Sequence, residues 1–151
     1  MLVDLGCGNG RDVKVFHDQG FNVVGIDISD ENLELAKKTF PECKFEKQDI
    51  EDLNFEDESV DAYYMVNVIH YVDMVKAFQE IQRTLKKDGF LFIHFNLSIE
   101  DETGTVDYQI SESEVMDLVK SFEVVDKKVF ERIDLQPIKH THKILQLILK
   151  K

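Results

Sequence analysis

Two rhythms of apolar positions alternate along the chain. Short runs rich in β-branched residues read as buried strands, and segments whose apolar residues fall three and four apart read as amphipathic helices. Strands are predicted over residues 2–5, 21–28 (FNVVGIDI), 44–47, 60–66, 90–95, 122–132 and 142–149. The first predicted helix, residues 11–19, is stopped by Gly20. The second runs from Ser29 or Asp30 to Phe40, with Leu33, Ala36 and Phe40 on one face and Pro41 just beyond. A third is capped by Asp73, runs to Lys87 with Met74, Phe78, Ile81 and Leu85 inward, and stops at Asp88 and Gly89. The fourth opens at Ser111, where Glu114 three residues on gives a capping-box signature, and ends near Ser121. The acidic segment 49–59 reads as a loop with at most one helical turn. Residues 96–110 read as a polar loop, with Gly104 as a hinge for a lid or selectivity element.

Strands joined by helices make an α/β, doubly wound, mostly parallel sheet. The last two strands are separated only by a short turn region, residues 134–140, and must therefore be antiparallel neighbours. No repeat or composition shift divides the chain, so residues 1–151 read as a single domain.

Composition narrows the partners. The net charge of −12 opposes a phosphate backbone, and the lysine pairs are scattered among acids, so no nucleic-acid partner is expected. No apolar run approaches the roughly 18 residues of a membrane span, and no signal peptide fits the start, so no membrane is expected either. Cys7 and Cys43 have no zinc-like spacing and are too few for a disulfide framework, which suits reduced, half-buried thiols in the cytoplasm.

The most informative chemistry lies in Val3-Asp4-Leu5-Gly6-Cys7-Gly8-Asn9-Gly10-Arg11-Asp12. An apolar strand end runs into a loop with glycine at every second position, which lets backbone approach a ligand closely. A dinucleotide site would use G-x-G-x-x-G with a pyrophosphate on the helix N-terminus. Here the spacing is one residue tighter, and Asp4 and Asp12 would stand beside that pyrophosphate unfavourably. A ligand with positive groups at that end is favoured instead. Asp27 ends the second strand, where a carboxylate accepts hydrogen bonds from both hydroxyls of a ribose. Its competing role is to complete the helix cap with Ser29 and Asp30. Asp49 and Ile50 follow the third strand, placed for an adenine amine and ring; Asp49 reads almost equally as an ordinary loop acid.

In order over residues 3–95, the stretches VDLGCGNGRD, GIDIS, KQDIEDL, SVDAYYMVNVIHYV and LKKDGFLFIHF resemble successive motifs of class I S-adenosylmethionine-dependent methyltransferases. The resemblance implies a Rossmann-like seven-stranded sheet of order 3-2-1-4-5-7-6 with the last strand antiparallel. It implies S-adenosylmethionine as cofactor across the carboxyl ends of the first strands. Asp4, Gly6, Cys7, Gly8 and Gly10 match the loop around the methionine portion. Asp27 matches the ribose acid with Ile28 beside the adenine, Asp49 and Ile50 the adenine contacts, and Asn67 the position whose backbone faces the ammonium. Two departures stand out. The turn before the fifth strand is Leu85-Lys86-Lys87-Asp88-Gly89 rather than Leu-Lys-Pro-Gly-Gly, and the helices that members usually carry before the first strand are missing.

Methyl transfer from a sulfonium needs positioning and exclusion of water more than acid catalysis, and a base only when the acceptor carries a proton. His70 and Tyr71, just past the fourth strand, are the candidates to face an acceptor; His70 is the candidate for that base and reads equally as filler beneath the third helix, and Tyr71 reads more as packing than chemistry. His94 and Asn96 are placed to line an acceptor pocket. His140 and His142 share a strand face but read as surface residues, with no carboxylate cluster to support a site and no metal expected. The fourth-strand segment Asn67-Val68-Ile69-His70 lacks the Asn/Asp-Pro-Pro-Tyr/Phe signature of amide or adenine-amine acceptors, and no cysteine follows it. A small-molecule acceptor is therefore expected. The alternative is a non-catalytic or partner-dependent cofactor-binding module, or a truncated core; a homodimer or partner subunit fits that alternative.

Overall fold

At the centre of the sheet, β1 (Leu2–Leu5) is buried on both faces, which is why its sequence is a continuous apolar run broken only by Asp4. The computed structural model describes residues 1–135 and 139–151, with Asp107 and Tyr108 described by backbone alone. Parallel neighbours flank β1: β2 (Val23–Asp27) on one side and β4 (Val60–Val66) on the other. Beyond β2 lies β3 (Lys44–Lys47), and beyond β4 lies β5 (Leu85–Asp101). β8 (His140–Lys150) runs antiparallel to both β5 and the edge strand β7 (Glu123–Asp134). The order is β3-β2-β1-β4-β5-β8-β7, with β6 (Val106–Gln109) paired to β5 alone. Without that extra hairpin strand it is the expected 3-2-1-4-5-7-6.

The helices α1 (Arg11–Asp18), α2 (Asp30–Thr39), α3 (Met74–Thr84) and α4 (Glu112–Leu118) join these strands. Their starts follow the capping chemistry in the sequence. Ser29 accepts from the Asn32 amide, Asp73 from those of Val75 and Lys76, and Ser111 and Glu114 form a complete capping box. One large apolar core takes in Leu5, Ile26, Met65, Ile81, Ile93 and Leu147; a smaller one gathers Cys7, Val13, Leu33, Ala36 and Phe45 under α1 and α2.

Several expectations are corrected. Phe21 and Ile28 lie outside β2 and are exposed, because only the middle of that apolar run is sandwiched by helices. α3 stops at Thr84, since Leu85 turns extended to pair with Val60. The 96–110 segment is not a hinged lid: β5 continues to Asp101 and folds back through β6. Its turn is fixed by Asp101 Oδ1, which accepts from the Thr103 and Thr105 amides at 2.8 and 2.9 Å, with Gly104 at φ 81°. The β7–β8 pairing confirms the antiparallel close of the chain, although residues 136–138 of the expected turn lie outside the described residues.

Arg83 and Glu80 on α3 anchor the middle of the 49–59 segment. Arg83 on α3 donates to the carbonyls of Leu53 and Phe55 at 2.9 Å each and to Asp57 at 2.8 Å. Glu80 fixes that guanidinium from two sides and accepts from the Leu53 amide at 3.0 Å. These charge-assisted bonds bind a segment without regular structure to a helix. Arg83→Ala is expected to lower the unfolding free energy by about 1–3 kcal/mol. It should also speed hydrogen exchange at the Leu53 amide while leaving the β1 amides protected.

Candidate functional site

Where β1 ends, Gly6, Gly8 and Gly10 all adopt positive φ (70°, 54° and 81°), and the chain turns across the carboxyl edge of the sheet into α1. The glycines do different jobs. A Cβ on Gly10 would lie 2.6 Å from the Phe45 ring and 3.1 Å from Ala36, so Gly10 lets α1 settle against α2 and β3. A Cβ on Gly8 would meet nothing within 4 Å: this backbone faces open space, as a ligand-facing turn must.

That open space is a cleft of ≈ 490 Å³ between the loops after β1, β2 and β3 on one side and the segment after β4 on the other. Gly6, Gly8, Asp27, Ile28, Asp49, Ile50 and Asn67 all line it. A second chamber of ≈ 340 Å³, lined by Asp4, Cys7, Arg11 and Asp12, shares Gly6, Gly8 and Asn67 with the first. Nine of the ten residues expected around a cofactor thus converge on two joined chambers. Gly10 is the exception, and its role is packing.

Asp27 carries more than the ribose assignment asked of it. Its carboxylate, 8% exposed, accepts from the Gly8 amide through Oδ2 and from the Ser29 amide through Oδ1, both at 2.8 Å. The helix-entry role and the cleft-lining role therefore coexist in one side chain. Each oxygen keeps a further lone pair.

Asp4 is different. It is 4% exposed, and burial together with the charges of Asp12 and Asp27 pushes its carboxyl up to about 7. Among the described residues no salt bridge reaches Asp4, Asp12 or Asp27. Tyr64, across the strand pair from Asp4, is pushed up to about 12 by burial and by Asp12 and Asp4. The Cys7 thiol is likewise pushed up to about 12 by burial, then by Asp4 and Asp27, which makes it a poor nucleophile. This end of the cleft concentrates negative charge and favours a cation.

On the far wall Asn67 holds a left-handed conformation (φ 56°), and its amide donates to the His94 carbonyl at 2.8 Å. Its carbonyl is then the backbone group left to offer a ligand. Asp49 Oδ1 accepts from the Glu51 amide, forming the turn that presents Ile50. His70 is not on the cleft wall. It lies in a 3-10 turn (Ile69–Tyr71) with its ring against Phe95, centroids 6.1 Å apart, and Tyr71 and Val72 line the cleft in its place. Burial lowers the His70 value. His94 packs beside Phe130, and Asn96 bonds His142, so neither lines the cleft. Nor are the two C-terminal histidines simply surface residues: His142 is 7% exposed, and Asp134 stands beside both.

Residues missed from sequence include Asn32, Glu51, Val68 and Val72, all in the cleft wall. Val68 could be foreseen only by knowing that it packs where a Gly6 Cβ would be. Gln48, half of the Gln48-Asp49 pair, accepts from the Asn54 amide at 3.0 Å and so ties the wall's turn together.

A family described as "Methyltransferase domain" matches residues 3–93. The ubiquinone/menaquinone biosynthesis C-methyltransferase UbiE of Campylobacter jejuni is 32% identical over 103 residues, covering 61% of this chain and 43% of that protein. A probable S-adenosylmethionine-dependent methyltransferase of Saccharomyces cerevisiae is 34% identical over 95 residues, covering 58% and 33% respectively. The chain spans less than half the length of these curated relatives. A SAM-dependent methyltransferase from Methanosarcina mazei shares the fold, with a TM-score of 0.81 at 21% identity over 99% of this chain and 91% of that one.

The raised Asp4 value makes a stability prediction. The folded chain keeps a proton up to about pH 7 that the unfolded chain releases near 3.8, so stability falls as pH rises through that window and is flat above it. Asp4→Asn is expected to remove the slope and to be more stable than the parent at pH 8. Urea unfolding of both chains at pH 5 and pH 8 measures it; parallel curves would refute the assignment.

Proposed function

The chain belongs to the methyltransferase domain family, whose cofactor is S-adenosylmethionine, and on that premise we propose that it transfers a methyl group to a small-molecule acceptor. The observation that carries this reading is the buried Asp4 with Asp12 and Asp27 around the glycine turn, a concentration of carboxylates that calls for a cationic ligand.

The residues suit the cofactor at each station. Asp27 has lone pairs left for ribose hydroxyls, Ile28 and Ile50 offer apolar surface to a flat base, and Asp49 stands at the edge of that surface. The Asn67 carbonyl and the Asp4 side of the loop suit an ammonium and a sulfonium. When bound, S-adenosylmethionine supplies a methyl on positively charged sulfur, open to in-line displacement with a neutral thioether leaving.

What the chain contributes is orientation, charge and shelter. Asp27 locks the Gly8 amide in place, so the turn is set before ligand arrives and little ordering is lost on binding. Val72 lines the wall after β4, and Tyr71 stands exposed at its rim, available to pack on a bound ligand and shed water there. For a protic acceptor we assign proton removal to His70, whose ring lies behind Tyr71 and must turn from Phe95 to reach the cleft; burial keeps its imidazole neutral at pH 7 and able to take the proton. A quinone-biosynthesis relative and an acidic surface both favour a small organic acceptor over a nucleic acid.

A second reading, a cofactor-binding module completed by a partner, draws on Phe90 and Phe130. Both lie exposed on the β5–β8–β7 face opposite Leu145 and Leu147. Tight cofactor binding without turnover on any of a panel of acceptors would favour it.

Calorimetric titration with S-adenosylmethionine tests the cofactor assignment. Affinity should rise from pH 6 to pH 8, with proton release at pH 6 that vanishes at pH 8 and in Asp4→Asn. Asp27→Ala should weaken binding by roughly 100-fold, the loss of charge-assisted bonds to ligand and turn; unchanged affinity would overturn the assignment. With an accepted substrate, turnover should fall below an inflection under pH 6.5. His70→Ala should remove that inflection at unchanged cofactor affinity.

A further inference from the structure

We propose that Asp134, His140 and His142 form a binding site for a divalent transition-metal ion, zinc being the best match. The three come from the paired ends of β7 and β8, away from the cleft. Asp134 stands directly across from His140, and His142 follows two residues on along the same strand face. One ligand atom from each lies within 4.8 Å of the others. His142 Nε2 is 3.2 Å and His140 Nε2 3.9 Å from Asp134 Oδ2, with the two imidazole centroids 4.7 Å apart.

The second observation concerns the far side of His142. This side chain is more than nine-tenths buried, and its Nδ1 stands 3.0 Å from the amide oxygen of Asn96. That oxygen accepts, so Nδ1 carries the hydrogen and the lone pair is left on Nε2. Nε2 is buried, makes no well-aligned hydrogen bond among the described residues, and faces the Asp134 carboxylate. Two electron-rich atoms at that separation repel unless a positive charge lies between them. A metal-bound histidine whose other nitrogen donates to a carbonyl oxygen has this arrangement, with the outer partner fixing tautomer and ring orientation. The irregularity in β5 between Asn96 and Ser98 marks where Asn96 serves that purpose.

The donor set selects the ion. Two imidazoles and one carboxylate are the ligands of zinc sites that keep a fourth position open, and hard ions such as magnesium prefer oxygen alone. With bonds of about 2.0–2.1 Å, tetrahedral ligand atoms stand roughly 3.3 Å apart. The Asp134–His142 pair already meets that spacing, and His140 must close in through a side-chain rotation. Arg132 holds Asp134 Oδ2 at 2.9 Å and must shift to the other oxygen. Its charge opposes the ion.

The test uses the full chain, stripped with chelator and titrated with Co²⁺ alone, whose visible absorption is strong only in four-coordinate sites. One equivalent should bind, and Zn²⁺ should bleach the band. His140→Ala and Asp134→Asn should each weaken binding at least tenfold while keeping the parent's circular dichroism, and Arg132→Gln should tighten it. Absence of the band at one equivalent would overturn the proposal, as would equal Co²⁺ affinity in parent, His140→Ala and Asp134→Asn. A proton on His142 would then be what fills the gap.

Discussion

Two backbone amides donating to one buried carboxylate hold this molecule's working edge together. Gly8 belongs to the turn after β1 and Ser29 to the cap of α2, and both end on Asp27. A carboxylate is costly to bury without such donors, and two charge-assisted bonds offset that cost. Because parallel strands deliver their carboxyl ends to the same edge, a link between neighbouring turns there defines a floor. The cleft, the caps and the packing of α1 over Phe45 take their positions from it.

Asp4 is the counterpart for which no donor is seen among the described residues. It sits one strand over, even more deeply buried, and its charge is left for whatever enters the neighbouring chamber. A satisfied acid that shapes the turn and an unsatisfied one that waits for a cation are different devices built from the same side chain. The β3 side of the cleft depends on a third arrangement, the Arg83 clasp, which gives the acidic 49–59 segment a fixed course over α3.

Local chemistry was readable in advance, and register was not. The caps at Ser29, Asp73 and Ser111, the buried strands and the glycine turn rest on residues close in sequence, where spacing alone decides. The β5–β6 hairpin had a visible signal that polarity concealed. Asn96-Leu97-Ser98-Ile99-Glu100 alternates with the period of a strand, and Asp101 with Gly104 marks its turn. Arg83 left no such trace, because its partners are carbonyls about thirty residues away. The approach of Asp134 to His140 and His142 was equally hidden, since it needs the pairing of β7 with β8 to be known residue by residue. Which of His70 and Tyr71 would reach the cleft wall was hidden too, because on a tight turn one position exchanges wall for interior.

The outermost strand has a bearing on how these molecules behave in a crowd. β7 spans twelve residues, ends the sheet on one side, and leaves a row of backbone donors and acceptors without a neighbouring strand among the described residues. Such a row is a template for joining molecule to molecule. Here it carries Asp126, Lys127, Lys128, Glu131 and Arg132 and a break in register after Val124. A second copy laid alongside would have to match mixed charges and follow a bent rail. The sheet therefore ends in a guarded border, which keeps a valine-rich strand from seeding fibrils.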